Sequence, residues 1–137
     1  MTSFALDFSE TAIADARVRV PDAEFLVQDA AELAADGQRY DLVLMIEVLE
    51  HLPDPQRMLG LLSQLAERHV VLSVPWEPFF RGLNFARGKH LRALGNDPEH
   101  IQHWGRGEFQ RLVGDHFVIQ DAPLVFPWTL VGAAVPH

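Results

Sequence analysis

Glu47, Glu50 and His51 place two carboxylates and an imidazole directly after an unbroken apolar run, Leu42, Val43, Leu44, Met45 and Ile46. Imidazole is the side chain that changes charge near neutral pH, so His51 could remove a proton from an acceptor hydroxyl. The plainer role for His51 is to hydrogen-bond a loop carbonyl and pin the chain where it turns. A second group lies downstream. Arg81, Arg87, Lys89 and Arg92 interleave with Phe79, Phe80, Leu83, Phe85 and Leu91. That mixture suits a water-excluding cover over a substrate, or a surface that meets anionic lipid headgroups. It also suits a packed excursion whose cations are simply solvated.

The first group needs a rigid support, and the sequence supplies one. A continuous apolar run over residues 40–46 reads as a parallel strand buried on both faces. Ligands of open α/β sheets sit just outside the carboxyl ends of such strands, which is where Glu47, Glu50 and His51 fall. Asp54 and Pro55 then open a helix, with Asp54 accepting from backbone N–H groups and Pro55 at the first helical position. Met58, Leu61, Leu62 and Leu65 recur at helical spacing, predicting a helix over 55–68. Residues 69–74 read as the next strand, stopped by Pro75.

Around these, residues 3–7 read as a strand and 9–17 as a helix capped by Ser9, with Ala12, Ile13 and Ala16 on one face. Residues 24–28 form another strand, and 30–36 a short helix that Gly37 can end. The pattern weakens over 76–104, a stretch of the kind that carries function in compact domains. Residues 106–114 form a helix with Phe109, Leu112 and Val113 inward. Strands at 117–120 and 127–135 follow, joined too closely for a crossover helix, so they should pair antiparallel. The expectation is an α/β fold with a mostly parallel sheet, helices on both faces and a C-terminal antiparallel hairpin.

Composition bounds the function. The 137 residues suit one domain, and without cysteine there are no disulfides, thiolate metal sites or thiol nucleophiles. No apolar run reaches the ~18 residues that span a bilayer, and the start lacks a basic signal region, so a cytoplasmic location is expected. The net charge of −8 argues against binding nucleic acid through a basic surface.

ALDFSETAIADAR (residues 5–17), VQDAAEL (27–33), YDLVLMIEVLEHLPDP (40–55) and EHIQHWGRGEF (99–109) together carry a resemblance. In order and spacing they resemble class I S-adenosylmethionine-dependent methyltransferases, nearest the branch of ubiquinone-biosynthesis O-methyltransferases. The resemblance implies a Rossmann-like sheet and S-adenosylmethionine as methyl donor. It also implies a small-molecule acceptor methylated on oxygen or nitrogen. One feature of that family has no counterpart. The family opens with a strand and a glycine-rich turn that approaches the donor, whereas the nine glycines here lie at Gly37 or later. The expectation is therefore one incomplete domain over 1–137 that lacks the first, central strand. Its donor binding should be weak or absent, and its exposed apolar surface should favour self-association.

Residue by residue, the resemblance makes Asp7 the acceptor for the ribose hydroxyls; otherwise Asp7 is an ordinary helix-start carboxylate. Asp29 and Ala30 become the pair that reads adenine, through the carboxylate and the Ala30 backbone N–H, and a plain helix cap is the competing role. Phe8 would pack on the donor or in the core. Ile46 and Glu47 would face its methionine end, where a carboxylate favours a sulfonium or an ammonium. His51 or His103 would handle the acceptor proton. Residues 76–104 would form a lid or specificity excursion, with peripheral membrane contact through 76–94 as the other reading.

Two alternatives stand beside this one. Glu47, Glu50 and His51 match the E-x-x-E-H ligand pattern of small-RNA 2′-O-methyltransferases, with His100 or His103 completing a divalent metal site. The favoured reading assigns no metal. The other alternative is a non-catalytic remnant that keeps the sheet and serves as an interaction or regulatory subunit.

Overall fold

The computed structural model of the chain describes residues 4–7, 9–76, 102 and 104–136. They fall into two compact units, Met1–Gln38 and Arg39–His137.

In the first unit, strand β1 (Phe4–Asp7) and strand β2 (Glu24–Val27) pair in parallel, with Asp7 opposite Val27. Parallel neighbours need a crossover, and helix α1 (Glu10–Arg19) supplies it. Ser9 starts α1 by accepting from the Ala12 backbone N–H at 3.3 Å. Arg17 ties the helix to the strand by donating to the Phe25 carbonyl at 3.0 Å. Helix α2 (Ala30–Ala35) follows, and the chain leaves it through Gly37 at φ 71°, a left-handed conformation that costs glycine little. Ile13 and Leu33 are buried.

The second unit holds strand β3 (Tyr40–Ile46), a single 3-10 turn (Leu49–His51), helix α3 (Pro55–Leu65) and strand β4 (Ala66–Pro75). Helix α4 (Arg106–Gly114), β5 (Val118–Asp121), β6 (Leu124–Val125) and β7 (Trp128–Ala134) complete it. The strand order is β3-β4-β7-β5, with β6 paired to β7. β3 and β4 run parallel, and every pair involving β7 is antiparallel. The expected hairpin is thus β5 with β7; the two-residue β6 was not foreseen. Parallel and antiparallel strands with helices give the α/β class.

Three expectations change. α3 stops at Leu65, because Ala66 already takes an extended conformation and pairs with Tyr40. Pairing to β3 overrides the helical character of Glu67 and Arg68, so β4 begins at Ala66 rather than residue 69. The buried face of α3 is also rotated: Leu59, Leu62 and Leu65 are buried, whereas Met58 and Leu61 are half-buried. Finally, β3 is not buried on both faces. Leu42, Leu44 and Ile46 share one face and are 43%, 61% and 49% exposed. Among the described residues no strand pairs with the other edge of β3.

The core of this unit lies where α3 and α4 cover β4 and β7. Val70, Leu72, Val74, Val131 and Ala133 from the strands meet Leu59, Leu62, Phe109 and Val113 as buried side chains. At roughly 1.5–3 kcal/mol for each large apolar side chain removed from water, this packing anchors β4 as the frame for what β3 presents.

Candidate functional site

Local physics fixes Glu47. β3 ends at Ile46, which lies opposite Ser73 of β4. The next residue, Glu47, has φ 54°, the one positive φ outside glycine among the described residues. L side chains avoid this region because Cβ crowds the backbone. Two hydrogen bonds to a single neighbour hold it there. The Glu47 backbone N–H donates to the Ser73 carbonyl at 3.1 Å, and Ser73 Oγ donates to Glu47 Oε1 at 2.9 Å. Ser73 is 4% exposed, so its hydroxyl is a buried donor spent on this carboxylate.

The chain then turns through Leu49–His51. Leu49 is fully buried and Glu50 is 1% exposed, while His51 is exposed. His51 Nε2 lies 3.9 Å from Glu50 Oε1, an electrostatic distance rather than a hydrogen bond. Gln102 also pins this turn. Its backbone N–H donates to the Glu50 carbonyl at 3.0 Å, and its side-chain amide lies 3.5 Å from the Leu52 and Pro53 carbonyls. Asp54 caps α3 as expected, accepting from the Arg57 N–H at 3.0 Å.

The same end of the sheet carries an aromatic cleft. β7 starts where β4 finishes, with Trp128 opposite Pro75 and Leu130 opposite Ser73. Trp76, Phe126, Trp128, Thr129 and Arg106 line a cavity of about 120 Å³ there. Trp76 and Phe126 meet edge to face at 5.8 Å, and the Arg106 guanidinium donates to the Ala122 carbonyl. A wider, open hollow of about 340 Å³ runs along the outer side of α4, lined by Trp104, Glu108, Arg111, Leu112 and Asp115.

In the first unit, Asp7 and Asp29 stand at the carboxyl ends of two paired parallel strands, as expected. Asp29 is the N-cap of α2, accepting from the Ala31 N–H at 2.7 Å through Oδ1. Capping uses one carboxylate oxygen and leaves the other as an acceptor. Ala30 opens the helix, where a backbone N–H has no acceptor within the helix itself.

The Asp7 side chain, Phe8, His100, His103 and the stretch 77–101 with its basic and aromatic residues lie outside the described residues. Among the described residues no cluster of three histidines, aspartates or glutamates is arranged to hold a metal. Ser73, Gln102 and the Trp76–Trp128 cleft were missed by sequence reasoning. For Ser73 a signal existed, a hydroxyl inside the apolar run of residues 70–74, two residues before β4 ends at Pro75.

A family described as the methyltransferase domain matches residues 2–116. A stretch of 32 residues is 53% identical to a ubiquinone biosynthesis O-methyltransferase of Coxiella burnetii, covering 23% of this chain and 14% of that protein. Magnesium protoporphyrin IX methyltransferase from Synechocystis PCC 6803, solved with bound SAM, is similar at TM-score 0.69 and 19% identity. That match covers 98% of this chain and 60% of the Synechocystis chain, so less than two thirds of either relative is spanned. The small RNA methyltransferase HEN1 is similar at TM-score 0.73 and 16% identity, over 98% of this chain and 20% of that one. These likenesses make the fold Rossmann-like. With most of its length matched by the family, from before β1 to beyond α4, the chain belongs to the methyltransferase-domain family.

Proposed function

We propose that the protein transfers a methyl group from S-adenosylmethionine to an oxygen or nitrogen of a small-molecule acceptor. The observation that carries this reading is the carboxylate of Glu47, fixed at the carboxyl end of a parallel strand where α/β sheets bind ligands. The donor supplies an electrophilic methyl on a sulfonium. The acceptor lone pair forms the new bond to carbon as the carbon–sulfur bond breaks, and the acceptor proton leaves to a base.

The chain's own groups bind and orient. In the first unit, Asp7 accepts from the ribose hydroxyls, with Phe8 packing beside the nucleoside. Asp29 and Ala30 read adenine through the second carboxylate oxygen and a helix-start N–H. In the second unit, Ile46 and Glu47 meet the methionine portion. His51, exposed at the turn, takes the acceptor proton, and His103 is the second candidate base. The Trp76–Trp128 cleft, lined by three aromatic rings, excludes water beside the acceptor. Acceleration then comes mainly from positioning two reactants rather than covalent catalysis. The net charge of −8 favours a small acceptor over RNA. The exposed Leu42, Leu44 and Ile46 face supports self-association.

Calorimetric titration with S-adenosylmethionine and S-adenosylhomocysteine tests the reading. Saturable binding weaker than about 1 μM is expected, roughly −8 kcal/mol at most. Asp29→Ser retains a capping oxygen and should leave stability unchanged while weakening binding about tenfold. No binding at millimolar nucleoside removes the proposal.

A further inference from the structure

We infer that Ser73 is a positioning residue for the methyl donor: it holds Glu47 so that this carboxylate distinguishes the cationic sulfonium of the donor from the neutral thioether of the product. The inference rests on the reading that Glu47 meets the methionine portion, and deepens it.

A glutamate side chain has three rotatable bonds, and a mobile carboxylate at a strand end would be screened by water and spread over many positions. Here the freedom is removed at both ends. The backbone is held at φ 54° by the N–H bond to the Ser73 carbonyl, and the carboxylate by the Ser73 hydroxyl on Oε1. Both bonds come from one residue, buried to 4% in the strand that forms the centre of the unit. The strand pairing itself sets Ser73 opposite Ile46, so the clamp is built into the β3–β4 register.

With Oε1 committed, Oε2 remains as the acceptor for a ligand cation. Methyl transfer removes the positive charge from sulfur while leaving the rest of the donor unchanged. A fixed anion therefore favours donor over product, whereas contacts to adenine or ribose cannot tell them apart. The expected signature is a ratio of affinities rather than a loss of binding. Merely structural damage would lower both affinities together.

The test is calorimetric titration of the full chain, Ser73→Ala, Ser73→Thr and Glu47→Gln with S-adenosylmethionine and S-adenosylhomocysteine, with a melting curve for each variant. The wild-type chain should bind donor about tenfold more tightly than product, the effect of one partly screened charge pair. Ser73→Ala and Glu47→Gln should each bring that ratio to within about twofold of unity, chiefly by weakening the donor. The double variant should go no further, because both act through one carboxylate. Ser73→Thr, which keeps the hydroxyl, should retain the ratio. Should Ser73→Ala fail to fold, Ser73→Cys supplies the same test with a poor donor of similar size.

An unchanged ratio in Ser73→Ala, or an equal loss of both affinities, overturns the role of Ser73 while leaving the proposed function standing. Unaltered affinities in Glu47→Gln would show that Glu47 does not meet the donor, and the inference falls with that assignment. A wild-type chain that binds neither nucleoside overturns the proposed function itself.

Discussion

Glu47 occupies a backbone conformation suited to glycine, and the residue there is charged instead. Strain of this kind persists where surrounding structure over-determines it, and it clusters at functional positions. The consequence can be measured without any ligand. Glu47→Ala and Glu47→Gly both remove the carboxylate and both leave the Ser73 hydroxyl without that acceptor. They differ only in whether a Cβ sits at φ 54°. Glycine should therefore be the more stable of the two by about 1 kcal/mol, read from urea unfolding. At an ordinary helical or strand position the order is reversed. Equal stabilities would mean that the residue relaxes to negative φ once its side chain is gone, and that the clamp rather than the register holds the turn.

Among the elements, α3 and β3 are where sequence pattern and packing part company. Helical spacing identified α3 correctly but placed Met58 and Leu61 inward, whereas Leu59, Leu62 and Leu65 are the buried positions. Leu62→Ala should cost ~2–5 kcal/mol and Met58→Ala distinctly less. Leu44→Thr on β3 should change stability by no more than about 0.5 kcal/mol in spite of its place in the apolar run, because 61% of it is exposed. Denaturant midpoints of the three variants give the ranking. Capping was the most legible feature: Ser9, Asp29 and Asp54 each accept from the N–H two or three residues on. Caps are local, so the sequence carries them whole. The five apolar residues of β3 gave the strand's type and limits but not its exposure. Exposure depends on what lies against each face, which no run of five side chains encodes. The hydroxyl of Ser73 stands out in its apolar run, but its role was hidden for the same reason. Its partner Glu47 is 26 residues away and becomes a neighbour only through the pairing of β3 with β4.

For the whole molecule, the division into Met1–Gln38 and Arg39–His137 predicts unequal stability along the chain. β1 and β2 pair over four residues each in a two-stranded sheet, the least a sheet can be, and such sheets are marginal alone. Ile13 and Leu33 are the buried apolar side chains of that unit among the described residues. β4, by contrast, has a strand on each side and contributes Val70, Leu72 and Val74 to a core shared with β7, α3 and α4. Local opening follows buried contact and hydrogen-bond protection, so the units should open separately. In native-state hydrogen exchange of the intact chain, amides of β4 and β7 should be the slowest. Those of β1 and β2 should exchange at least about 100-fold faster, a gap of roughly 2.7 kcal/mol in opening free energy. On the proposed assignment of Asp7 and Asp29 to the nucleoside, saturating S-adenosylmethionine should narrow the gap, since a ligand that binds only the closed form stabilises the segment it contacts. Uniform protection across all strands would show that the chain opens as one cooperative body, and the unequal stability would be refuted.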